Sequence, residues 1–214
     1  MKKKTGRLAP LAGVGVLVFL FVGFALTGDA PDATKKPAGE VAKFYADQGD
    51  GVFVGLILIG FGLTLFVFFG SYLRAVLGAA EGEDGVMPRV AFAGTVVVAA
   101  GFSFDSTVIL TLHEGAKDIG PAGVQALSVL YQNDFIPMAT GMFMFLVGVG
   151  VPILRTGALP KWIGVVALLL AVISFSPIGF VGFVGGGVLT AVMGVVMAIR
   201  AGREPRVPAA GRSN

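Results

Sequence analysis

The chain has 214 residues, of which 55% are hydrophobic and only 14% charged, with a net charge of +3. Soluble proteins carry about 25% charged residues, and here the charges cluster between long apolar runs, a pattern that points to membrane spans and away from a soluble domain or a nucleic-acid binder. The chain has 0 cysteines, which excludes disulfides, thiolate nucleophiles and Cys-ligated metals.

In chain order, Lys2, Lys3, Lys4 and Arg7 precede an uncharged run over residues 8–28, long enough for one crossing. A cleaved signal peptide is the rival reading, but the apolar core is long for one. Residues 29–50 are polar and broken by Pro31 and Pro37. Within them Val41, Phe44 and Tyr45 share one helical face opposite Glu40, Lys43 and Asp47, which predicts a short amphipathic helix over 38–48 lying on the outer membrane surface. The second span is predicted over 52–73, with Tyr72 and Arg74 as boundary anchors. Residues 74–89 read as a solvated loop with an acidic patch at Glu81, Glu83 and Asp84.

The third span is predicted over 90–112, and Gly115 is expected to break its helix. A second amphipathic helix follows over 121–132, with Val124, Leu127 and Tyr131 on one face. The fourth span covers 135–154, with Asp134 as its expected N-cap and Pro137 tolerated in the first turn. Met138, Met142 and Met144 read as packing residues. The turn Arg155 to Lys161 leads to a short fifth span over 162–176. Pro177, Ile178 and Gly179 form an outer turn, and the sixth span covers 180–199.

These runs predict an all-α polytopic membrane protein. A bundle of six transmembrane helices forms one domain over residues 1–200, with two short external helices and a disordered cytoplasmic tail over 201–214. With six spans, 12 of the 16 basic residues fall on the side of both termini; only Lys35, Lys36, Lys43 and Lys117 fall on the other. The positive-inside rule then places both termini in the cytoplasm of a bacterial inner membrane, and makes the two long acidic loops external.

The chemical lead is Asp105, inside the third span. A carboxylate at such a depth costs roughly 2.5–3.5 kcal/mol on the insertion scale, so it should face the bundle interior or a wet cavity. Ser106, Thr107, His113, Glu114 and Asp134 are its expected companions in an outward-facing polar vestibule that handles a small solute or a proton. The bland alternative is an acid that only pins packing. His113-Glu114 is not a zinc motif, because position 117 is Lys; no metal or other cofactor is expected. No nucleophile constellation appears, so the expectation is not an enzyme. In the last span Gly182, Gly186 and Gly194 recur in a small-residue groove of the kind that lets helices approach closely. That groove supports the competing function: a structural or accessory subunit that binds a membrane-protein partner, or a second copy, besides the lipid bilayer.

The run Pro152-Ile153-Leu154-Arg155 followed by Gly157-Ala158-Leu159-Pro160-Lys161-Trp162-Ile163-Gly164, with Glu40 and Tyr45 in the first external helix, resembles small uncharacterised bacterial multi-pass proteins of actinobacterial type. The resemblance covers about half the chain. It implies six helices in an inner membrane and assigns no activity or catalytic residue.

Overall fold

The computed structural model describes residues 9–82, 85–176 and 178–203. The charged N-terminus, Glu83, Asp84, Pro177 and most of the expected tail, residues 204–214, lie outside the described residues. After a 3-10 turn at Ala9–Leu11 the helices are α1 (Ala12–Thr27), α2 (Ala38–Ala46), α3 (Gly51–Glu81), α4 (Met87–Gly115), α5 (Pro121–Asn133), α6 (Ile136–Thr156), α7 (Lys161–Ser174) and α8 (Gly179–Arg203). Among the described residues there is no strand.

Among the described residues five helical stretches are long and apolar enough to cross a membrane: 9–27, 51–81, 87–115, the 121–156 run and 179–201. α7 has 14 residues and rises only about 21 Å, short of a hydrocarbon core of about 30 Å. Large apolar side chains, among them Phe21, Phe68, Leu169, Val172 and Phe180, point outward around the bundle. A continuous apolar exterior of that kind suits lipid rather than water.

Several boundaries differ from the sequence expectation. α3 continues past Leu73 to Glu81, because Arg74, Ala75, Leu77, Ala79, Ala80 and Glu81 are strong helix formers and Leu73 and Leu77 bury one turn apart. Gly82, at φ 93°, ends it. Glu81 is therefore a helix residue facing Arg155 at 4.0 Å, with its side chain only 13% exposed, and not part of a solvated loop. α4 begins at Met87 with Pro88 in its first turn and runs through Gly115, which does not break it. The last helix extends to Arg203, into the stretch expected to be tail.

The membrane-length helices and α7 form a closed ring. α1 packs on α3, α3 on α4, α4 on α6, α6 on α7, α7 on α8, and α8 returns to α1. The ring has two distinct ends. One carries Pro10 against Gly194, Arg155 near Glu81, and Arg200, whose Nη1 donates to the Ala158 carbonyl at 2.6 Å. α2 and α5 pack together at the other end, over the outer turns of α4.

Glycine governs how closely the helices approach. A Cβ built on Gly94 would strike the Phe145 amide nitrogen and stand 2.6 Å from the Gly141 carbonyl oxygen. One on Gly141 would stand 2.6 Å from the Val98 nitrogen, and one on Gly148 would stand 2.7 Å from the Ala91 Cα. These are backbone-to-backbone contacts between α4 and α6. The expected groove on α8 is used differently. Gly182 meets Ser174 of α7, Gly186 meets the Met142 Sδ of α6, and Gly194 meets the Pro10 carbonyl, so each serves a different neighbour within the same chain.

These contacts rank the glycines. Gly94→Val should lower stability by at least about 1–3 kcal/mol, the usual penalty of overpacking, because backbone cannot move aside. Gly186→Leu should be milder, since the obstacle is the flexible end of Met142. Gly60→Ala, mid-helix with nothing within 4 Å of the added methyl, should cost nothing and stabilise by up to about 1 kcal/mol. Thermal melting in detergent checks the order.

Candidate functional site

The α4–α6 packing fixes a register that runs straight into the acidic residues. Ala91 meets Gly148, Gly94 meets Phe145, Val98 meets Gly141 and Gly101 meets Met138. The residue numbers in each pair add to the same total, as an antiparallel register requires. The next turn of the same register brings Asp105 beside Asp134. Asp105 is only 6% exposed. Its Oδ1 and the Oδ2 of Asp134 are buried with no protein donor. Among the described residues neither carboxyl forms an ion pair.

Asp134 is not the N-cap of α6 but the residue that ends α5. The N-cap of α6 is Phe135 and no side chain caps it. Pro137 has no N–H to offer the Asn133 carbonyl, so the helical run from 121 to 156 breaks at Asp134 and Phe135. That break turns the Asp134 side chain toward α4.

The other expected companions do not gather around Asp105. Ser106 donates to the Phe102 carbonyl at 2.8 Å, and Thr107 to the Ser103 carbonyl at 3.0 Å. Successive residues on a helix are about 100° apart, so these hydroxyls face away from Asp105 and satisfy themselves on their own helix. Thr107 and Glu114 are exposed. His113 is half-buried and its Nδ1 is buried without a protein partner. Among the described residues no group of three His, Cys, Asp or Glu side chains converges as a metal site would need.

The end of the bundle beyond the acid pair is closed by α2 and α5. The apolar face of α2 is turned into protein, with Val41 fully buried and Tyr45 nearly so, and does not lie on a lipid surface as the amphipathic pattern had suggested. Its helix also ends at Ala46, short of 48. Two glutamines of α5 hold the preceding loop by its backbone. Gln125 Nε2 donates to the Ala33 carbonyl at 2.8 Å, and Gln132 Nε2 donates to the Pro31 carbonyl at 2.8 Å. Gln132 Oε1 accepts from the Ala33 amide at 3.1 Å. In that loop hydrogen bonds from Lys35 and Thr34 pull the Asp32 carboxyl down to about 2. That contribution is present above the ordinary carboxylate range and is lost as pH falls through about 2.

Under the cap, the Tyr45 hydroxyl lies 3.1 Å from the Ser128 Oγ, and both side chains are buried. Burial pushes the Tyr45 phenol up and the Ser128 bond partly offsets it, so the group stays neutral at physiological pH. Beside it a cleft of about 10 Å³ is lined by Thr27, Gly28, Ala30, Phe44, Tyr45, Gln48, Ile109 and Tyr131. Tyr131 also feels the charges of Asp105, Asp134 and Asp29. The sequence placed Tyr45 and Tyr131 on apolar helix faces and gave Gln48, at the expected end of the first short helix, and Ser128 no part in the site; the usable signal was Tyr131, one turn before Asp134.

No family model, curated protein or solved structure matches this chain. Its chemistry must therefore be argued from its own side chains: a contacting acid pair, a break in the helical run beside it, and a polar cap.

Tyr45→Phe should destabilise the protein by about 1–3 kcal/mol, because it strands the fully buried Ser128 hydroxyl. Adding Ser128→Ala should recover part of the loss. Melting of the single and double variants tests this, and a double variant weaker than Tyr45→Phe alone would assign the cost to packing.

Proposed function

We propose that the protein is a non-enzymatic module of a bacterial inner membrane whose Asp105–Asp134 pair takes up and releases a proton from the outer side. In this reading α7 completes a sixth crossing, both termini lie in the cytoplasm, and α2 and α5 are external. The supporting observation is that the buried Asp105 and the half-buried Asp134 stand side by side, each with a buried oxygen without a protein donor and, among the described residues, without an ion pair. Like charges so close disfavour double ionisation, and burial disfavours it further, so the pair acts as a one-proton site.

A proton suits the site better than a larger solute. The adjoining cleft of about 10 Å³ has room for about one water. Two carboxyls without a third ligand make a poor cage for a divalent cation. The accessory-subunit alternative draws less support, because Gly182, Gly186 and Gly194 are occupied by Ser174, Met142 and Pro10. The distribution of basic residues supports the orientation, with Arg74, Arg89, Arg155, Lys161 and Arg200 at the end opposite the cap. The resemblance to small actinobacterial-type multi-pass proteins fits the same topology.

Two measurements test the reading. Infrared difference spectra of purified protein should show a protonated-carboxyl carbonyl band that is lost in Asp105→Asn and in Asp134→Asn. Melting should change little, because the amide keeps the shape. In proteoliposomes carrying a pH-sensitive dye, Asp105→Asn should abolish proton movement that wild type supports; equal traces would sink the proposal. For the orientation, Lys43→Cys should react with an impermeant maleimide on intact cells, cleanly because the chain has 0 other cysteines. Reaction only after permeabilisation would reverse it.

A further inference from the structure

The cleft under the cap lies one turn outward of the acid pair on two separate elements. Ile109, which lines it, is one turn from Asp105 along α4, about 6 Å on the same face. Tyr131, which also lines it, is three residues before Asp134 at the end of α5.

Gln48 gives the cleft a polar wall. Its Nε2 donates to the Thr27 carbonyl at 2.9 Å, which fixes the amide, since the flipped orientation would set two acceptors against each other. Its Oε1 is thereby buried with no protein donor. A buried acceptor of this kind needs a donor, and the donor that a space of about 10 Å³ admits is a water molecule.

Building on the proton-site reading above, we propose that this cleft is a water site through which the Asp105–Asp134 pair exchanges its proton, with Tyr131 as the linking residue. The water donates one hydrogen bond to Gln48 Oε1 and another toward the Tyr131 hydroxyl. A phenol both donates and accepts. As Tyr131 gives its proton to the unprotonated carboxylate of the pair, it takes one from the water, which takes one from the outer solution; the proton the pair already held leaves by the same relay run in reverse. One proton enters as another leaves, the pair ends singly protonated, the phenol ends neutral, and no bond between heavier atoms changes. The charged or titratable groups that act on Tyr131 are Asp105, Asp134, Asp29 and Tyr45; no lysine or arginine is among them.

The test transfers purified protein into D₂O and follows the isotope shift of the carboxyl carbonyl band with time. Tyr131→Phe should keep the band and slow its exchange by roughly 10²-fold, the low end of what one positioned proton donor contributes. Gln48→Met, close in size but without the acceptor, should slow it as well. Wild-type rates in both variants, with the band present, overturn the inference. Slowing in Tyr131→Phe alone rejects the water site, and slowing in Gln48→Met alone rejects the tyrosine link. A wild type with no protonated-carboxyl band would fail the proton-site reading itself, and this inference with it.

Discussion

The backbones of α4 and α6 touch. Gly94, Gly141 and Gly148 leave no room for a side chain between them, and Gly101 receives Met138 in the same seam. Lipid tails are as apolar as leucine, so helices in a bilayer gain little by hiding apolar surface from each other. They associate by close packing and weak Cα–H···O contacts, both of which demand near approach. The glycines recur at seven-residue intervals, 94 to 101 and 141 to 148, about two helical turns, so each pair returns to the same face of its helix. That spacing holds the register, and the register carries Asp105 to Asp134. A shift of either helix by one residue would swing the acids about 100° apart and separate them.

Around this seam the rest of the fold divides its work between two ends. The Arg155, Arg200 and Pro10 end is tied by contacts to backbone and to Glu81. The opposite end carries α2 and α5, whose glutamines satisfy the loop backbone while Tyr45 and Ser128 satisfy each other. Satisfaction stops near the acid pair. Of the five buried side-chain atoms without a protein partner among the described residues, four lie toward this end: Asp105 Oδ1, Asp134 Oδ2, Gln48 Oε1 and His113 Nδ1. Native proteins keep few such atoms, and clustering of local conflicts is expected at sites kept for function rather than stability.

Much of this architecture was legible in the sequence, because hydropathy and charge act over whole segments. The apolar runs marked the membrane helices, and Asp105 stood out through its cost in a membrane span. Boundaries were less legible where helix propensity outlasted hydropathy, as in the extension of α3 from Arg74 to Glu81. The site was half legible. Ser106 and Thr107 were expected beside Asp105 because sequence proximity suggested a cluster, yet a helix sends neighbours in different directions, and their hydroxyls bond to their own backbone. Asp134 was read as a cap because it precedes a helix. Its actual place depends on the break at Pro137 and on the α4–α6 register, and neither Gly94 nor Gly141 announces that register in one sequence. The glycines of α8 were the easier pattern to see, at four-residue spacing, and they serve three separate neighbours.

The contact between the two carboxyls, held by the glycine seam, is measured most directly by a double-mutant cycle. Melting free energies of wild type, Asp105→Ala, Asp134→Ala and the double variant, taken at one pH in the same detergent, give the coupling between the two positions, because alanine removes the contact that asparagine keeps. Side chains in contact within one hydrogen-bond network should show a coupling of about 0.5–3 kcal/mol. Purely additive effects, within about 0.3–0.5 kcal/mol, would mean that Asp105 and Asp134 do not meet, and would contradict both the register and the proton site built on it.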